Sequence, residues 1–368
     1  MVMVNEPLLN GNEKTYINEC IDTNWISSEG PFVKRFESEM ADFVGRKYAT
    51  ACSSGTAALD IAVSILNLQK GDEVIMPSFT IISCAQALIN KGIKPVLLDS
   101  DLQTFNVNVE TIEEKITPKT KAIMIVHIFG LTVDVNPILA LAKKYNLKII
   151  EDAAEVIGQT YLGVQCGSFG DVSTFSFYPN KHITTGEGGM VFCDDKLLDE
   201  RAKSFRNLCF GADRFIHDEL GENYRMTNMQ AALGVAQLEN IDVAVDKKRH
   251  IGYTYNELLK DLETVNLPVP KTNFCENIYW VYAITLKDDF TKTAKEVMAE
   301  LSSYNIGTRP FFYPMHKQPI FNRMGLFLED DLPNSENLYE KGFYIPSGLT
   351  LTNKEMLEVS IALHKVLL

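Results

Sequence analysis

Apolar residues along this chain fall into two textures. Short runs rich in Val, Ile, Phe and Tyr alternate with longer stretches in which apolar positions recur every three or four residues. The short runs read as strands at residues 48–52, 73–76, 95–99, 122–126, 148–151, 172–177 and 190–193. The periodic stretches read as helices, first across 11–48 with a break at 25–31, where Trp25-Ile26-Ser27-Ser28 either lines a site or packs in a connecting loop. Further helical segments are expected to run from Leu59 as far as Asn67, then over 83–90, 109–115, 137–145, 197–208, 226–241 and 246–262. Strands alternating with helices at this spacing predict a mainly parallel sheet covered by helices on both faces. Past Pro268 the texture changes to a strand over 279–286, a helix over 292–304 and an aromatic, proline-punctuated segment over 311–319. The predicted division is a large α/β domain at 1–244 and a smaller α+β domain at 245–368.

Ligands of parallel α/β sheets gather beyond the carboxyl ends of the strands, and three such ends carry chemistry-bearing residues. Ser54, Gly55 and Thr56 follow the first strand and open a helix, where free backbone N–H groups and the helix dipole favour a phosphate. A plain helix cap is the other reading of that stretch. Asp152 and Glu155 follow the apolar pair Ile149-Ile150; an aspartate there needs a basic partner or caps a helix. In TFSFYPNKHITTGEGGMV (174–191), two strand-like pieces flank a loop that presents Lys181, with Gly186, Gly188 and Gly189 able to let backbone approach a bound group.

Composition narrows the class. With 46% hydrophobic and 23% charged residues over 368 positions, the chain has ample material for a core. A formal charge of −13 argues against non-specific nucleic-acid binding, while leaving room for one local anion site. No apolar run approaches the roughly 18 residues of a membrane span, and the first residues lack a basic start and apolar core. Seven cysteines without a C-x-x-C pair read as reduced thiols of a cytoplasmic protein. There is no P-loop, no H-E-x-x-H and no G-x-S-x-G; the glycines at 186–189 do not complete G-x-G-x-x-G, and no metal site is expected.

A loop lysine, a phosphate seat and a strand-end carboxylate are the parts that hold pyridoxal 5'-phosphate. Lysine supplies the amine that condenses with an aldehyde. Asp152 would keep the pyridine nitrogen protonated, Thr56 and Ser176 would hold the phosphate, and a released Lys181 would move the proton at the substrate carbon.

Six ordered motifs then carry a resemblance. They are Ser53-Ser54-Gly55-Thr56-Ala57-Ala58-Leu59, the run from Gly71 to Thr80, Glu151-Asp152-Ala153-Ala154-Glu155, Ser176-Phe177-Tyr178-Pro179-Asn180-Lys181, the run from Thr184 to Gly189, and Asn223-Tyr224-Arg225-Met226-Thr227-Asn228. Together they resemble the DegT/DnrJ/EryC1/StrS sugar aminotransferases across essentially the whole chain. Trp25-Ile26-Ser27-Ser28 and the Ile183-to-Gly189 run look most like the branch acting on GDP-linked 4-keto-6-deoxyhexoses.

The resemblance implies an aspartate aminotransferase-like fold, PLP fold type I, and a cytoplasmic homodimer with shared sites. It implies that Lys181 bonds covalently to the cofactor, that Asp152 pairs with the pyridinium, and that Glu155 sits near the phenolic oxygen. Gly55, Thr56 and Ser176 are expected on the phosphate, Asn223 on the phosphate of the partner subunit. Where the family has an aromatic stacked on the ring, this chain has Ile81, which forgoes roughly 0.5–1.5 kcal/mol of aromatic stacking. His182, Arg309 and His316 are the residues expected nearest the substrate. A dehydratase branch has histidine at the covalent position; Lys181 favours aminotransfer. The expected reaction moves an amino group from L-glutamate to a nucleotide-linked keto-sugar in surface-polysaccharide biosynthesis. Two other readings stay open: a smaller phosphorylated ketone as acceptor, and a regulatory protein that keeps the fold without catalysis.

Overall fold

The protein is described from a computed structural model at every residue except 212 and 214. Chain order explains the architecture. Two helices, α1 (Glu13–Asp22) and α2 (Pro31–Val44), precede β1 (Tyr48–Cys52) and α3 (Gly55–Ile65). Next come β2 (Glu73–Pro77), α4 (Ile82–Ile89), β3 (Lys94–Leu98), β4 (Thr120–Val126), α5 (Val135–Tyr145) and β5 (Lys148–Asp152). A small hairpin, β6 (Thr160–Tyr161) and β7 (Val164–Gln165), leads to β8 (Val172–Ser176), β9 (Gly189–Cys193) and α6 (Lys196–Phe205). Helices α7 (Asn228–Leu238) and α8 (Ile241–Leu259) follow. The remainder holds β10 (Val265–Asn266), β11 (Tyr282–Leu286), α9 (Ala294–Ser303), β12 (Arg309–Pro310), α10 (Pro319–Arg323), α11 (Pro333–Lys341), β13 (Gly342–Ile345) and α12 (Asn353–Leu367).

Seven strands form one sheet in the order β1-β9-β8-β5-β4-β2-β3. The pairs β2/β3, β2/β4, β4/β5 and β5/β8 are parallel, and β9 alone runs antiparallel, between β1 and β8. The mainly parallel α/β sheet expected from the apolar pattern is therefore what the chain builds. Strands β2 and β9 are buried at every position and β4 at all but one, as expected where helices cover both faces. The directions put the carboxyl ends of β1, β2, β4, β5 and β8 on one edge. Gly189, at the start of β9, is in register with both Cys52 and Ser176 there.

Local chemistry fixes the element ends. Pro31 opens α2 and Gly45 closes it with φ +82°. Thr227 with Gln230, Thr293 with Glu296 and Thr352 with Glu355 form capping boxes on α7, α9 and α12. Residues 109–115, expected as a helix, make two 3₁₀ turns instead. Asn108 takes the Glu110 amide and its carbonyl takes the Thr111 hydroxyl, so the backbone is diverted at the first turn.

A second sheet, β10-β11-β13-β12, is antiparallel and packs on α8, α9 and α12. Helix α8 contributes Ile241 and Val245 to the core under the large sheet, and Ile251, Tyr255 and Leu259 to the core under the small one. Gly252 on that helix lies flat against Tyr279: a Cβ built there would stand 2.3 Å from the Tyr279 ring. We expect Gly252→Ala to lower stability by about 1–3 kcal/mol through overpacking, measured as a shift in urea midpoint; an unchanged midpoint would show that Tyr279 gives way freely.

Candidate active site

A cavity of about 400 Å³ opens at the carboxyl edge of the large sheet. Its walls come from Ser54, Gly55 and Thr56 after β1, Thr80 and Ile81 after β2, Asp152 and Glu155 after β5, and Ser176 and Lys181 after β8. Trp280, Phe312 and Tyr344 close it from the C-terminal part of the chain.

Each wall residue has a local reason for its place. At the start of α3, Ser54 Oγ accepts from the Ala57 amide at 3.1 Å, and Ser54 O accepts from Ala58 at 3.0 Å. The amides of Gly55 and Thr56 are left at the positive end of the helix. Gly55 is needed because Ser176 crosses so closely that a Cβ would meet Ser176 Cβ at 2.6 Å. Thr56 Oγ1 and Ser83 Oγ bond at 2.8 Å, tying α3 to α4. Ile81 caps α4 in extended backbone and stays 45% exposed, so it leaves that side of the cavity open.

Asp152 ends β5 almost fully buried. Its Oδ1 accepts from the Ala154 amide at 3.1 Å, and its Oδ2 from Cys84 Sγ at 3.3 Å. Glu155 Oε2 accepts from the Phe129 amide at 2.8 Å. Burial raises the proton affinity of both carboxyls, opposed at Asp152 by those two hydrogen bonds and at each by the Lys181 charge. Burial lowers that of the Lys181 amine, opposed by Glu155 and Asp152. Loss of hydration thus draws carboxyl and amine alike toward their neutral forms, and a neutral amine is the nucleophilic one. Lys181 Nζ lies 3.7 Å from the Trp280 ring centroid.

The structure gathers Gly55, Thr56, Ile81, Asp152, Glu155, Ser176 and Lys181 around one space and leaves the other expected site residues outside its walls. Asn223 is exposed, bridging to Asn207. Arg309 is exposed on β12. His316 is buried in a structural tie, with Nδ1 at 2.8 Å from Ser78 Oγ and Nε2 at 3.1 Å from Glu336 Oε1. His182 turns away from Lys181, its Nε2 at 3.4 Å from Ile278 O and its Nδ1 without a partner.

Sequence reading missed Cys84, Trp280, Phe312 and Tyr344. Of these, only Phe312 carried a signal, lying in the aromatic, proline-rich segment. Among the described residues, His127, Glu151 and Cys166 are the one set close enough to suggest a metal. Glu151 is already saturated by the Gly167 and Phe169 amides and by His127, which fits a structural knot.

Burial holds His182 neutral and pushes its pKa down from 6.5 to about 3. The unfolded chain therefore takes up this proton first as pH falls, so stability present above about 6.5 is lost progressively toward 3. His182→Gln should flatten the fall in melting temperature between about pH 6 and 4; an equally steep fall would place the acid sensitivity elsewhere.

The comparisons with known proteins agree with this geometry. Residues 7–364 match the DegT/DnrJ/EryC1/StrS aminotransferase family. The chain is 41% identical to a GDP-perosamine synthase of Caulobacter vibrioides, over 100% of this chain and 98% of that one. It is 40% identical to a GDP-perosamine synthase of Escherichia coli O157:H7, over 99% and 98%. The aminotransferase from Psychrobacter cryohalolentis superimposes with a TM-score of 0.92 at 29% identity, over 98% of each chain. All seven cysteines are unpaired, and no helix among the described residues is long and apolar enough to cross a membrane. The chain belongs to the DegT/DnrJ/EryC1/StrS family, and is a sugar aminotransferase that uses pyridoxal 5'-phosphate.

Proposed function

We propose that the protein transfers an amino group from L-glutamate to C4 of a GDP-linked 4-keto-6-deoxyhexose, with Lys181 as the residue that joins the cofactor. The observation that carries the site assignment is the convergence of Lys181, Asp152, Glu155 and the α3 start on one cavity. The substrate assignment is supported by the whole-chain likeness to GDP-perosamine synthases.

The residues present fit the cofactor. The Gly55–Ser176 crossing is a cradle that a Cβ would fill, and it sits beside two helix-start amides and the Ser176 hydroxyl, a set suited to a phosphate. At the other end Asp152 offers a buried carboxylate to a pyridine nitrogen, and the Glu155 carboxylate acts on the Lys181 amine through its charge. Bound there, pyridoxal phosphate supplies an aldehyde that condenses with amines and a ring that draws electrons from the substrate carbon.

The chain's own residues do the rest. Lys181 provides the covalent amine and, once free, moves a proton at the reacting carbon. Asp152 holds the proton on the pyridine nitrogen, and its bonds to Ala154 and Cys84 keep it aimed. Thr56 and Ser176 would hold the phosphate, and Ile81 would offer the ring only an exposed aliphatic side chain. Asn223, exposed and off this cavity, would serve the phosphate in the partner subunit of a cytoplasmic homodimer. His182 and His316 have no part in the reaction proposed, since both are buried away from the cavity walls.

Purified protein given glutamate and GDP-4-keto-6-deoxymannose should yield 2-oxoglutarate and an amino sugar; absence of both products overturns the substrate assignment. Lys181→Ala should lower turnover by at least about a thousandfold, as expected where the residue that acts as nucleophile and base is removed, and continued turnover would displace Lys181 from its role. Gly55→Ala should weaken cofactor binding about tenfold, because the new methyl must displace Ser176 or the helix start. Equilibrium dialysis measures this.

A further inference from the structure

Lys181 Nζ rests on an aromatic face, while two buried carboxylates act on it through their charge. Its Nζ stands 3.7 Å from the Trp280 ring centroid, well inside the roughly 6 Å over which an indole attracts a cation. The ring is held from several sides. Trp280 Nε1 donates to the carbonyl of Asn180 at 2.8 Å, so the indole grips the loop at the residue before the lysine. The carbonyl of Trp280 accepts from the buried Lys248 amine at 2.9 Å, and that amine also donates to Ser347 O at 2.6 Å. Phe129 packs on the ring with centroids 6.0 Å apart. Only 5% of Trp280 is exposed. An indole tied at its ring nitrogen and at its backbone stays in place when the lysine moves.

We propose that Trp280 is a positioning residue for Lys181: the indole face is the seat on which the lysine amine rests whenever it is not covalently engaged. The proposal rests on the reading of Lys181 as the residue that joins the cofactor. Aminotransfer frees this amine in each half-reaction, and a four-carbon stem left loose would lose the geometry needed for proton transfer and return. Asp152 at the end of β5, Glu155 on the following turn and Cys84 on α4 act on the amine through charge, and the phenols of Tyr178 and of Tyr344 on β13 share its cavity. The carboxylates hold a cation but also compete for its proton. The indole face attracts the cation and accepts no proton, so it fixes the position of Nζ without acting as a base.

Losing a face that stabilises the ammonium form favours the neutral amine, so the cofactor should be captured at lower pH. Cofactor-free protein is mixed with pyridoxal phosphate over a pH series, and covalent retention is read after borohydride reduction. The midpoint for Trp280→Leu should lie about one unit below that of the unaltered protein, and that for Trp280→Phe less far below. Circular dichroism checks that each variant folds. A second reading needs no cofactor. The chain has two tryptophans, Trp25 and Trp280, so a Trp25→Phe protein reports Trp280 emission alone. Adding Lys181→Met should change its intensity by removing the ammonium from the ring. Folded Trp280 variants with an unchanged midpoint overturn the proposal, as does emission unmoved by Lys181→Met. If neither Trp280 variant folds, the emission comparison decides alone. Covalent retention in Lys181→Ala would instead remove the underlying assignment of the lysine, a failure separable from that of Trp280.

Discussion

Asp152 and Glu155 are both nearly sealed from solvent, and an ionised carboxylate so placed costs several kcal/mol unless something answers it. Two backbone amides and a thiol answer in part. Lys181 supplies the opposing charge, and most of the surrounding structure serves to bring that amine to that depth. The sheet order ends β5 and β8 side by side, with Asp152 in register with Thr174. The loop from Ser176 to Gly189 then returns over the site, and Thr184 and Thr185 bond back to Phe177 to hold it closed. The amine is thus delivered by a stiff loop rather than by a flexible arm.

One wall of the enclosure comes from a part of the chain far away in sequence. The large sheet alone would display the lysine and carboxylates on an open edge. Trp280, Phe312 and Tyr344 convert the edge into a cavity by covering it with aromatic surface. Aromatic walls exclude water while their polar tips stay tied: the Trp280 nitrogen reaches Asn180 O, close to Lys181 in the chain. Low local dielectric in turn strengthens every charge interaction inside.

Strands were legible because burial on both faces leaves compact apolar runs, and those at 48–52 and 122–126 are too short for buried helices. Residues on the strand ends of the large sheet were legible for the same reason, since topology sends Gly55, Asp152 and Ser176 to one edge. Trp280 was not. The pattern placed it inside a strand, whereas β11 starts only at Tyr282, because Asn277 Oδ1 takes the Tyr279 amide and Tyr279 turns into positive φ. Nothing local announces that turn. His316 misled in the opposite sense: its aromatic and proline-rich setting suggested a site, yet its partners Ser78 and Glu336 spend both ring nitrogens on packing. Partners far apart in sequence decide whether a polar residue is free to react, and a linear reading cannot see them.

Helix α8 has a consequence for how this enzyme could acquire a new acceptor. Its 19 residues span roughly 28 Å at about 1.5 Å each, with one end locked into the core of the large sheet and the other into that of the small one. It acts as a strut between the two walls of the cavity. The spacing of those walls is therefore set by backbone that is expensive to alter. Divergence toward larger or smaller substrates has cheaper material in exposed side chains at the rim, such as Ile81 and Tyr178. Inherited rigidity in the frame makes the rim the natural place for variation.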